Sequence, residues 1–152
     1  MIRLTIDGMP VTVTEGTTIL EAAQSNGIWI PTLCHHESLT PYGGCRLCAV
    51  EILQGKQTRV VSSCNYIVEK GMQVITASDT VIAIRKCIIS LLLAEAPDAK
   101  ILRELADEIG AKPYHGFTAR NELCIACGRC IRACREIVGV QAIDFAHRVY
   151  KR

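Results

Sequence analysis

The sequence predicts an α+β chain in three parts: a small sheet carrying one helix, a pair of helices, and a short cysteine-bearing unit. Three observations lead there. Apolar residues alternate with period two in several short runs up to Thr76, a helical period takes over from Asp79, and eight of the nine cysteines fall into two groups. The expected bounds are 1–78, 79–112 and 113–152.

Ile2-Arg3-Leu4-Thr5-Ile6-Asp7 alternates and reads as a strand. Asp7-Gly8 suits a tight turn, and Val11-Thr12-Val13 reads as the returning strand. Thr17 or Thr18, with Glu21 behind, caps a helix whose apolar face is Ile19, Leu20, Ala22 and Ala23; Asn26-Gly27 ends it. Residues 47–53 and 57–63 read as two strands joined by Gln54-Gly55-Lys56, and 73–76 as another. Strand, strand, helix, then further strands is a β-grasp order. Ser78 or Asp79 caps a helix over 79–95 that carries Val81, Ile82, Ile84, Ile88, Leu91 and Leu92, and Pro97 stops it. Lys100–Ile109 is a second helix, ended by Gly110. Residues 112–120 form a linker, and a last helix spans about 131–138.

The chain has 152 residues, 49% hydrophobic and 21% charged, which excludes a disordered polymer. Aromatics at 5% are too few for a single-strand stacking platform. Residues 1–110 hold 9 basic and 12 acidic side chains, whereas 111–152 hold 8 and 3. A basic end of this kind suits nucleic acid or an acidic protein partner. No secretory pattern opens the chain, and the apolar run around 87–94 is too short to span a bilayer. The expected location is the cytoplasm, where thiols stay reduced and clustered cysteines read as metal ligands.

Cys34, Cys45, Cys48 and Cys64 form C-x10-C-x2-C-x15-C. The x2 pair brings two thiolates to one centre, and Gly43-Gly44 allow backbone to approach closely. Four thiolates suit zinc or a two-iron cluster. Structural zinc usually takes two close pairs, and only one is present. Cys124, Cys127, Cys130 and Cys134 form C-x2-C-x2-C-x3-C, the bacterial ferredoxin run for a 4Fe–4S cluster.

Ile30-Pro31-Thr32-Leu33-Cys34, Gly44-Cys45-Arg46-Leu47-Cys48 and Cys64-Asn65 carry a resemblance over nearly the whole chain. It resembles the N-terminal ferredoxin-like region of the NADH dehydrogenase large iron–sulfur subunit, of iron hydrogenases, and of the small diaphorase subunits of NAD-linked hydrogenases and formate dehydrogenases. The resemblance implies one 2Fe–2S cluster on Cys34, Cys45, Cys48 and Cys64, in a β-grasp ferredoxin-like domain. It also implies a helical connector and a 4Fe–4S unit. Its partners would be a flavoprotein that oxidises NAD(P)H and a catalytic redox subunit, in a hetero-oligomeric complex. Arg135 departs from it, standing where proline is common. Longer relatives have a second cysteine run downstream, and none follows Cys134 here. The fourth ligand of the second cluster is therefore open between Cys134, Cys87, a partner group and a non-cysteine group. A three-iron cluster is also open. Many large relatives carry a further site of one histidine and three cysteines; Ala94–Gly110 has no cysteine, so that cluster is expected to be absent. The two-iron subunit of molybdenum hydroxylases is a poorer comparison, because the run at Cys124–Cys134 does not fit it.

The remaining chemistry-bearing residues read more plainly. Cys87 is expected as a buried thiol and Trp29 as core. His35 and His36 are expected in the loop or hydrogen-bonded behind the ligands, and His115 and His147 have no evident partner. Arg46, Arg129, Arg132 and Arg135 either solvate their loops or offset cluster charge and attract an acidic partner. No G-x-G-x-x-G fingerprint, Ser/His/Asp order or paired carboxylates suggests substrate chemistry. The expected function is single-electron relay within a larger oxidoreductase, with no catalytic residue, no nucleic acid and no membrane span. The alternatives are a zinc-stapled nucleic-acid-binding protein, a free ferredoxin shuttle, and the first module of a longer catalytic subunit.

Overall fold

The computed structural model describes residues 1–55, 57–116 and 123–146. Lys56, part of the linker expected over 112–120, and the end of the chain with His147 lie outside them. Five strands form one mixed sheet: β1 (Ile2–Ile6), β2 (Met9–Val13), β3 (Ala49–Gln54), β4 (Gln57–Ser62) and β5 (Gln73–Ile75), in the order β2-β1-β5-β3-β4. β1 is antiparallel to β2 and parallel to β5, while β3 is antiparallel to β4 and β5. Asp7 and Gly8 both take positive φ, 49° and 81°, as a two-residue hairpin turn that pairs Ile6 with Met9 requires. The Asp7 carboxylate accepts from the Thr76 backbone N–H at 2.8 Å and from the Thr76 hydroxyl at 2.6 Å, which ties this turn to the end of β5.

Helix α1 (Ile19–Gln24) lies on the sheet. Thr18 accepts from the Glu21 N–H at 3.2 Å, and the Glu21 carboxylate accepts from the Thr18 N–H at 2.7 Å, a complete capping box. Ile19, Leu20, Ala22 and Ala23 are buried against Leu4, Ile6, Val50, Ile52 and Val74, and Cys48 and Cys64 belong to the same core.

Helix α2 (Asp79–Glu95) starts at Ser78, whose hydroxyl accepts from the Val81 N–H at 3.2 Å. Helix α3 (Lys100–Ile109) ends at Gly110 in the left-handed conformation. Between them they build a second core: Ile89, Leu93, Leu102, Leu105 and Ala106 pack with Leu33 and Leu47. The last unit is helix α4 (Arg129–Ala133), which opens on left-handed Gly128 and runs into a π-turn over Cys134–Val138, ended by Gly139. This helical stretch begins two residues earlier than the spacing predicts.

Two expectations fail. Cys87 is exposed, because the inward stripe of α2 runs Val81, Arg85, Ile89, Leu93, and Cys87 lies around the helix from it. Trp29 is 54% exposed: the segment after α1 buries Ile30 and Pro31 instead.

Candidate metal centre

The first cysteine set sits where the two cores meet. Buried Ile30 and Pro31 lead the chain in, and Leu33 and Leu47, anchored in the helical core, bracket the loop. Cys48 immediately precedes β3 and Cys64 follows β4, so the open end of that hairpin holds both. The Ser63 N–H donates to the Cys48 carbonyl at 3.0 Å. Cys34, Cys48 and Cys64 are buried and Cys45 is half-buried.

The four sulfurs form two pairs. The Cys45 backbone N–H reaches the Cys34 sulfur at 3.5 Å, and Gly44 adds a second backbone N–H. The neighbouring Cys45 thiol, these N–H groups and the Arg132 guanidinium hold the Cys34 thiol down at about 5, against the opposing effect of burial. Cys45 is pushed up, first by the neighbouring Cys34 and then by burial. Cys64 likewise holds Cys48 down at about 6 and is itself pushed up. Gly43 has a φ of +67°, which disfavours a side chain, and a Cβ there would meet the Asn65 amide nitrogen at 2.7 Å, so Asn65 would have to move. Among the described residues no three His, Cys, Asp or Glu groups converge on a point for one ion. Two thiolate-forming pairs, with backbone N–H groups facing sulfur, fit a two-metal sulfide group better than one tetrahedral ion.

The second set is built differently. Cys124 and Cys130 are exposed, and Cys127 and Cys134 are half-buried. The Ala142 N–H donates to the Cys134 sulfur at 3.2 Å. Ala126 and Gly128 take positive φ, 51° and 72°, coiling the run tightly. One cysteine of each set, Cys45 and Cys127, lines a common groove of about 290 Å³, together with Tyr42, Ile88, Leu92 and Ile125.

The arginines expected beside the cysteines divide. Arg46 and Arg135 are exposed, and Arg135 pairs with Glu136 at 3.0 Å. Arg129 donates to the His35 carbonyl at 2.5 Å, and Arg132 donates to the Thr40 carbonyl at 2.8 Å and to the Cys34 carbonyl. Glu136 accepts from the Thr40 N–H at 2.8 Å. The α4 unit therefore clips the 34–40 loop. His35 is half-buried, and burial lowers its pKa. Sequence reasoning misses one residue. Arg85, buried on α2, donates to the Ala49 carbonyl at 2.7 Å, next to Cys48. A charged residue four positions from both Val81 and Ile89 is the signal that could have found it.

Among the described residues, no helix is long and apolar enough to cross a membrane. The chain is 36% identical over 172 aligned positions to the NADPH-Fe(3+) oxidoreductase subunit alpha of Geobacter sulfurreducens, covering 97% of this chain and 20% of that protein. It is 33% identical to an NADH-quinone oxidoreductase subunit of Rickettsia bellii, covering 97% and 25%. The chain thus spans a fifth to a quarter of the length of these curated relatives. A crystal structure of an NAD+-reducing [NiFe]-hydrogenase in the H2-reduced state contains a chain that superposes with a TM-score of 0.84 at 28% identity, over 98% of this chain and 72% of that one. All three are oxidoreductases, which favours neither the zinc-stapled nucleic-acid reading nor a free shuttle. Residues 1–79, the sheet and all four cysteines of the first set, match the pattern of the 2Fe-2S iron-sulfur cluster binding domain, and the chain belongs to that family.

Proposed function

We propose that this chain is an electron-relay element of a multi-subunit oxidoreductase linked to NADH or NADPH. In this reading Cys34 and Cys45 hold one iron of a 2Fe–2S cluster, and Cys48 and Cys64 hold the other. Cys124, Cys127, Cys130 and Cys134 hold a 4Fe–4S cluster. The bound clusters supply one-electron chemistry, and the protein supplies position, charge and exclusion of water. The observation that carries the reading is the pairing of the first four thiols in the seam between two cores. The groove shared by Cys45 and Cys127 supports transfer between the two sites.

The chain's own groups divide the work. Leu33 and Leu47 fix the loop from the helical side, and Cys48 and Cys64 are fixed from the sheet side. Backbone N–H groups at Cys45 and Gly44 face the Cys34 sulfur and stabilise its thiolate. Exposed Cys124 and Cys130 leave the second site open to a partner's surface. The proposed partners are a flavoprotein that oxidises NAD(P)H and a second redox subunit. The units at 1–78, 79–112 and 113–152 would serve as two-iron domain, helical connector and four-iron unit, working in the cytoplasm.

Iron and acid-labile sulfide per chain, measured on anaerobically purified protein with EPR of the reduced sample, test this. The reading expects ~6 irons and two distinct reduced signals. Stoichiometric zinc without iron overturns it.

A further inference from the structure

Two arginine side chains are buried beside the first cysteine set. Arg85 is 6% exposed and Arg132 is 4% exposed. Neither forms an ion pair among the described residues. Each is held by backbone carbonyls instead: Arg85 by Ala49, next to Cys48, and Arg132 by Cys34 and Thr40. Each also has a buried Nε with no acceptor. Arg132 lies over the Tyr42 ring, 5.2 Å from its centre, which is a further weak attraction. A buried cation without an anion is strongly unfavourable, so it needs negative charge nearby. The nearby anionic groups are the Cys48 sulfur and the Asp7 carboxylate for Arg85, and the Cys34 sulfur for Arg132. Both oxygens of Asp7 are already engaged by Thr76.

We propose that Arg85 and Arg132 are the buried counter-charges of the two-iron cluster, one on each sulfur pair, and that they set its reduction potential. The inference rests on the reading above. An oxidised two-iron group with four thiolates is doubly negative, which two guanidiniums match. Reduction adds one more negative charge, so nearby positive charge favours the reduced form. They are positioning residues that act through the field at the cluster, since their hydrogen bonds go to backbone carbonyls rather than to sulfur.

The test is a potentiometric titration of the two-iron EPR signal in the full chain. Wild type is compared with Arg85→Gln, Arg132→Gln, the double variant and Arg85→Lys and Arg132→Lys. Exposed Arg59→Gln is the control. The expected result is a lower midpoint potential in each Gln variant, the largest fall in the double variant, and Lys variants near wild type. An unchanged midpoint in both Gln variants overturns the proposal while leaving the cluster reading intact. Lys variants that shift as far as Gln variants also overturn it, because the cause is then hydrogen-bond geometry. If the Gln variants do not load iron, the Lys variants decide: loading at the wild-type potential supports the charge role, and failure to load overturns it. Wild-type protein without iron removes the cluster reading itself.

Discussion

The two cysteine sets have similar sequence density and opposite surroundings. The first lies in the seam between two hydrophobic cores, three of its four thiols buried, with a partner sulfur for each. The second spans the approach to a five-residue helix, that helix and the start of the π-turn after it, with Ile137, Val138 and Val140 exposed beside it. The difference shows that cysteine spacing and cysteine environment are separate properties. A tight C-x2-C-x2-C run specifies its own local coil, whereas C-x10-C-x2-C-x15-C works only if a sheet, a helix pair and a distant helix converge on it.

The strongest way to break the comparison is to remove a cysteine from each side. Cys48→Ser is expected to abolish the two-iron EPR signal and lower iron by ~2 per chain. Cys130→Ser is expected to leave that signal in place, with iron and sulfide assays giving the stoichiometry. A repacking pair comes next. Leu47→Ala, fully buried between two cysteines, is expected to cost ~2–5 kcal/mol in urea unfolding. Ile137→Ala, exposed beside the second set, is expected to change stability by less than ~0.5 kcal/mol. Glycines sharpen it further. Gly43→Ala combines a φ of +67° with a close approach to Asn65 and is expected to cost ~1–2 kcal/mol or more; Gly139→Ala, at +79° but in open space, is expected at the lower end. On the sheet side, Thr18→Ala removes the α1 capping box for ~1 kcal/mol.

The smallest effect concerns the clip between the two regions. The Thr40 N–H and the Arg135 guanidinium hold Glu136 below the usual carboxylate value of 4.5. Its stabilising contribution is therefore present above pH 4.5 and is lost as pH falls through the lowered value. Glu136→Gln is expected to flatten that acid-side dependence, read from thermal melts across pH 3–6 by circular dichroism, about the window of an ordinary carboxylate.

The local rules explain why some of this was legible. Thr18 and Glu21, Asp7-Gly8, Ser78 and Gly110 act within four residues, so sequence spacing suffices to find them. The cysteine spacings carry their chemistry in the same way. Arg85 is hidden because apolar periodicity counts apolar residues, and the inward stripe of α2 contains a cation. Cys87 and Trp29 mislead for the converse reason: a hydrophobic residue type does not say which side of its element faces the core. Arg132 is visible as a charge beside cysteines, but its reach across 92 and 98 positions to Thr40 and Cys34 depends on tertiary contact alone.

That reach has a consequence for the timing of biogenesis. The family-matching segment ends at residue 79, yet the loop around Cys34 is clasped by residues 129, 132 and 136. On a ribosome adding ~5–20 residues per second, the clasp is synthesised roughly 5–20 s after the loop it closes. During that interval the nascent sheet can form while its cysteine loop stands open. Only when residues 129–136 emerge can the hydrogen bonds of Arg129, Arg132 and Glu136 close over it.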